Sequence, residues 1–189
     1  GGKGWTLGAS PNAVARRSRA SGPLCEKCRV HCPRCHGMVR LERYARALDR
    51  LLPALRAGYG DRLVAVAVFG SVGRGTPRQG SDIDLLIVAR DLPDGRFARL
   101  DEFLPLERAV EPALAEIEPD GTTVMVSPVF KSPAEVEHGS PLFLDMVEDA
   151  RILYDAEGFL ARYLDRFRAR LAELGARRIW RGEGWYWDL

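Results

Sequence analysis

A chain of 189 residues, 46% of them hydrophobic, can bury one substantial core with a small appendage, and is too short for two full-sized domains. Its 28 basic and 26 acidic residues leave a net charge of only +2, so composition does not demand a nucleic-acid partner. No run nears the roughly 20 apolar residues that span a bilayer, and no charged-then-apolar leader opens the chain; a soluble, cytoplasmic protein is the expectation. Three of the basic residues are lysine and the rest arginine. The planar guanidinium suits phosphate chemistry, and a GC-rich genome gives the same bias.

Residues 1–22 are rich in Gly, Ser, Pro and Arg without an apolar period, which predicts a flexible tail. Cys25, Cys28, Cys32 and Cys35 follow as Cys-x2-Cys-x3-Cys-x2-Cys. Four thiolates this close in an intracellular chain predict one structural Zn2+ in a knuckle over 23–38. His31 or His36 can replace one cysteine as ligand; an iron–sulfur cluster, free thiols or a pair of disulfides are the other readings. A closed four-cysteine site has no open position for catalysis, so anchoring or partner contact is its expected role.

Residues 39–189 are expected to form one domain. Leu41, Tyr44, Ala45, Leu48, Leu51, Leu52 and Leu55 recur at three- and four-residue steps, predicting a helix from Val39 to Ala57 that stops at Gly58 and Gly60. The continuous apolar run Leu63 to Phe69 predicts a strand buried on both faces. Residues 73–81 have loop chemistry, and Asp82 to Val88 returns as a second strand. A helix between Phe97 and Ile117, a strand from Thr122 to Phe130, a short helix near Ala134 and a helix over Leu142 to Asp149 follow. Phe159 to Leu174 is an amphipathic helix capped by Gly175. The end of the chain, with Trp180, Trp185, Tyr186 and Trp187 around Gly182 and Gly184, predicts a hairpin or edge strand docked on the body. With Arg177, Arg178 and Arg181 those rings can also stack bases beside phosphates.

The chemistry concentrates in Phe69-Gly70-Ser71-Val72-Gly73-Arg74-Gly75 and, after six more residues, Asp82-Ile83-Asp84. A glycine after a buried strand lets the backbone turn sharply and approach a ligand, and the hydroxyl and N–H groups that follow can bind phosphate oxygens. Carboxylates two apart on a strand share one face and can hold a hard cation between them. Arg74 and Arg78 lie in the loop, where a guanidinium can clamp a phosphate or simply be solvated. No Gly-Lys-Ser/Thr follows the glycines, and Pro77 opposes a helix opened by a dinucleotide-type glycine motif.

Gly70-Ser71, ten residues and then Asp82-x-Asp84 resemble the signature of the DNA polymerase β nucleotidyltransferase superfamily, its minimal nucleotidyltransferases most of all. The resemblance covers about residues 60–130. It implies an α/β (α+β) fold with a mixed sheet flanked by helices, two Mg2+ ions, an NTP donor such as ATP, and transfer of a nucleoside monophosphate to a hydroxyl with release of pyrophosphate. Ser71 then resembles a triphosphate contact, Gly70 and Gly73 positions of backbone approach, and Asp82 and Asp84 the catalytic metal ligands; Arg74, from its place in the loop, is a candidate nucleotide contact beside them. The acceptor stays open between RNA, protein and a small molecule. A catalytically silent module that grips nucleotide or RNA is the other reading, and members of the family also serve as antitoxin partners of HEPN-type ribonucleases. A protein partner or self-association fits either reading. The strand at 122–130 lacks the third carboxylate that active members bring; Asp120, Asp145, Glu148 and Asp149 are the nearby acids. Slow or partner-dependent transfer is therefore the expectation, because positioning is most of what this transfer asks of a protein.

Overall fold

A computed structural model describes residues 33–118, 120–182 and 184–189. The predicted tail, three of the four cysteines (Cys25, Cys28 and Cys32) and His31 lie outside the described residues; Cys35 and His36 fall within the first helix. That helix, α1 (Pro33–Tyr59), begins earlier than the leucine spacing predicts. Proline is preorganised for a first helical position, where its missing N–H costs nothing. Tyr44, Leu48, Leu51, Leu55 and Tyr59 form its buried stripe.

A four-stranded mixed sheet organises the rest, in the order β3-β2-β1-β4, with β1 (Leu63–Val68), β2 (Ile83–Ala89), β3 (Val126–Lys131) and β4 (Arg151–Asp155). β1 runs antiparallel to β2 and β4, and β2 parallel to β3. All six residues of β1 are buried, as a strand covered on both faces requires. Side chains alternate: Val66, Val68, Leu85 and Ile87 join one core cluster, Ala65, Ala67, Leu86 and Val88 the other. The first cluster is closed by α1, α3 (Arg96–Arg108) and α4 (Glu111–Ala115). The second is closed by α5 (Pro133–His138), α6 (Leu142–Asp149) and α7 (Phe159–Glu173).

The single helix predicted over 97–117 is thus two. The chain leaves helical geometry at Val110 (φ −113°, ψ 2°), which is buried, and restarts with a proline in the first turn of α4. The predicted third strand begins at Val126 rather than Thr122, although residues 121–125 lead straight into it. β4 was not expected. It is a short, half-buried edge strand whose Ile152-Leu153-Tyr154 run follows a helix directly. β5 (Arg177–Arg181) and β6 (Gly184–Asp188) form the separate hairpin the aromatic cluster predicts.

Edge strand β3 is protected along its length. The Val126 N–H donates to Glu107 Oε1 at 3.3 Å, Pro128 has no N–H, and the Phe130 carbonyl accepts from Arg99 Nη1 at 3.4 Å. Among the described residues no helix is long and apolar enough to cross a membrane.

Candidate active site

Antiparallel pairing of β1 with β2 brings the end of one beside the start of the other: Val68 pairs with Leu85, and the Phe69 N–H donates to the Asp84 carbonyl at 3.0 Å. Phe69 is still extended; Gly70, at φ +63°, turns the chain into a one-turn helix, α2 (Gly70–Gly73). A Cβ on Gly70 would stand 2.0 Å from Asp84 Oδ2. Left-handed backbone and contact with a carboxylate both require glycine here. The opening N–H groups of α2 have no acceptor within their own turn, and the Ser71 side chain stands beside them, half-buried.

Asp82 is exposed and Asp84 half-buried, on the same face at the start of β2. Burial pushes the Asp84 carboxyl above the usual carboxylate range; the negative charge of Asp82 adds to this and Arg74 opposes it. Asp82 Oδ1 also accepts the Met125 N–H at 3.3 Å, while the Met125 carbonyl accepts from Ile83 N–H at 2.9 Å. Two neighbouring carboxylates, with the charge of Asp82 disfavouring that of Asp84, beside a turn with free donors have the chemistry of a site for a hard divalent cation and a phosphate chain.

Gly73 has a different cause from Gly70. Its Cβ would lie 2.6 Å from the Asp149 carbonyl and 2.9 Å from that of Val68, and its own carbonyl accepts from Arg151 Nε at 2.7 Å. The close approach there is by the protein's own backbone, where α2 meets the junction of α6 and β4. In the loop, the Arg78 N–H donates to Ser81 Oγ at 2.9 Å.

Arg74 closes α2 but is committed to a protein carboxylate: Nη1 lies 2.9 Å from Asp149 Oδ2, and the guanidinium sits 4.5 Å from the centre of the Trp185 ring. Arg178 takes the other oxygen of Asp149 at 2.9 Å and stacks on Trp180 and Trp185. One helical turn away, Asp145 Oδ1 accepts the indole N–H groups of Trp185 (2.7 Å) and Trp187 (3.1 Å). This network escaped the sequence reading. Its signal was the i, i+4 spacing of Asp145 and Asp149, which puts both acids on one helix face.

β3 supplies no acid: Ser127 stands opposite Asp84 in the register. Asp120 accepts from Thr122 N–H at 3.0 Å and from Gln79, bonds that hold its carboxyl below the usual range. Asp145 and Asp149 are occupied by the hairpin, and Glu148 is exposed on α6. Among the described residues no group of three or more His, Cys, Asp or Glu is placed to hold a metal ion. Asp82 and Asp84 therefore fit a cation as two of its ligands, with the remainder left to phosphate oxygens and water.

The site falls inside the segment, residues 48–135, that matches the nucleotidyltransferase domain family. A protein of Methanocaldococcus jannaschii named "Putative protein adenylyltransferase" is 32% identical over 123 residues, which cover 64% of this chain and 78% of that one. The chain belongs to the nucleotidyltransferase domain family, and is a nucleotidyltransferase. Solved structures with a similar fold include a chain of a variant MntA-HpeT toxin–antitoxin complex (20% identity, TM-score 0.42, 66% of this chain and 90% of that one). Another comes from the tri-AMPylated Shewanella oneidensis HEPN toxin in complex with MNT antitoxin (19% identity, TM-score 0.37, 74% and 92%). At these scores neither likeness carries an argument about mechanism or partner.

Proposed function

We propose that this chain transfers the nucleoside monophosphate of an NTP, with ATP as donor, to a hydroxyl on an acceptor protein. One observation carries the proposal: Gly70 and Asp84 are in contact, so the phosphate-binding turn and the carboxylate pair are one site. The acceptor class follows the name of the Methanocaldococcus relative. Ser71 and the opening N–H groups of α2 bind the triphosphate, and Asp82 and Asp84 hold Mg2+. When bound, Mg2+ neutralises the charge that develops on the phosphates and on the attacking oxygen. A bond forms between the acceptor oxygen and the α-phosphorus, the α–β anhydride bond breaks, and pyrophosphate leaves. The proton of the acceptor hydroxyl passes to solvent as its oxygen bonds to phosphorus. Arg74 is already paired, so its part is to fix α2 against Asp149.

Incubation with α-labelled ATP, Mg2+ and total cellular protein or RNA, followed by location of the label, tests the proposal. Asp82→Asn and Asp84→Asn are each expected to lower transfer about 10³-fold while the melting curve is unchanged, since β2 stays intact. Full activity in either variant would remove both residues from the site. The lack of a third carboxylate favours a second reading, a module that retains nucleotide without transferring it; its mark is saturable Mg-ATP binding with no labelled product. For the cysteines we propose one zinc, on their spacing alone. Native mass spectrometry of the whole chain finding no metal, or iron with sulfide, ends that assignment.

A further inference from the structure

Beside the carboxylates, on the β3 side, lies a cavity of about 430 Å3 between the end of α3, α4 and residues 121–125. Leu104, Leu114 and Val124 give it apolar walls, and its charged lining is Glu107, Glu111 and Arg108. Met125 joins cavity and site: it lines the cavity, is 60% exposed, and donates its N–H to Asp82. A molecule seated there touches a residue that touches a carboxylate.

Two features describe the occupant. The outer edge of β3 is closed from Val126 onward by Glu107, Pro128 and Arg99, whereas the Val124 N–H has no acceptor among the described residues. A docked backbone therefore finds an open donor at Val124, next to the Met125 N–H that Asp82 accepts. The surroundings are also acidic: Glu107 and Glu111 in the lining and the exposed Asp82 beside it stand against one base, Arg108. That field repels a polyanion such as RNA and attracts Lys or Arg.

We propose that this cavity and edge are the docking site of the acceptor, and that the acceptor is an extended, basic polypeptide segment. One of its apolar side chains fills the cavity, its Lys or Arg residues face Glu107 and Glu111, and its hydroxyl-bearing residue lies by Asp82. The proposal rests on the transfer reading above but can fail separately from it. The probe is a fluorescent peptide of about ten residues alternating Lys and Val around one Tyr, long enough to pair along the open edge. Its Glu-for-Lys counterpart and an oligoadenylate with a free 3′ hydroxyl are the controls. Anisotropy is read on the whole chain without nucleotide, and AMP transfer is read separately.

The basic peptide is expected to bind at least about tenfold more tightly than either control. Ala115→Trp, which fills the cavity from an exposed wall position, and Glu111→Lys are each expected to weaken peptide binding about tenfold and leave Mg-ATP binding unchanged. Glu111→Lys alters only an exposed side chain and keeps the test valid if the tryptophan disturbs α4. Equal peptide binding in the wild type and Glu111→Lys, or preference for the oligoadenylate, overturns the docking site even if AMP is transferred. Peptide binding that is lost in the variants, with no transfer by the wild type, upholds the docking site and defeats the transfer reading.

Discussion

The flank of the site beyond β3 and the flank beyond β4 carry opposite charge and treat it in opposite ways. Residues 101–120 hold seven acids and one arginine, residues 161–181 seven arginines and two acids. On the β3 side two of the acids, Glu107 and Glu111, border an open cavity. On the β4 side one of those arginines, Arg178, closes together with Arg74 on a carboxylate that is 3% exposed, and the Trp185 ring lies against both. A net charge of +2 hides both. The lesson is that charge left in solvent is free to recognise a ligand, whereas charge neutralised internally serves to hold elements together.

The contrast can be broken from its closed side. Asp149→Ala leaves two guanidiniums without their shared partner and is expected to cost about 3 kcal/mol, read as a lower urea midpoint with a red shift of tryptophan emission as the hairpin loosens. An unchanged midpoint would mean that the network is incidental. Between the flanks, Gly70→Ala is expected to cost about 1–2 kcal/mol for the left-handed backbone. It also displaces the Asp84 carboxylate, so transfer is expected to fall about hundredfold, more than that loss of stability explains. Asp145→Asn keeps an oxygen for the indoles but removes its charge, and about 1 kcal/mol is expected to be lost with no effect on Mg-ATP binding.

The smallest effect concerns pH and lies on the β3 side. Arg99 Nη1, 2.9 Å from Glu135, holds that carboxyl below its ordinary 4.5; burial opposes this and the Ser132 N–H assists. The folded value lies below the unfolded one, so this stabilisation is complete above the unfolded value and disappears as pH falls through the folded one. Glu135→Gln is expected to lower the urea midpoint slightly at pH 7 and to converge with the wild type in acid. A difference that persists in acid would assign the effect to packing.

Sequence reading succeeded where one local pattern decides the outcome. The unbroken apolar run of β1 and the leucine stripe of α1 each announce their element without help from distant residues. It fell short where the deciding partner is remote. Ile152-Leu153-Tyr154 becomes a strand only because the edge of β1 is there to accept it. The sequence places Arg74 beside the turn but shows neither its partner Asp149 nor the carbonyls of Asp149 and Val68 that crowd Gly73.

The bridge through Asp149 also sets an order of assembly. Arg74 and Asp149 are 75 positions apart along the chain, and Asp149 and Arg178 a further 29. As the chain leaves the ribosome, the turn and the carboxylate pair are synthesised first, then the acid that anchors Arg74, and last the arginine and tryptophans that cover it. Contacts this distant in sequence close late, because the loop entropy must be overcome before they return any energy. A growing chain thus carries the Gly70 turn and both aspartates before the residues that clasp Arg74, and that clasp closes only after Trp185 has been made.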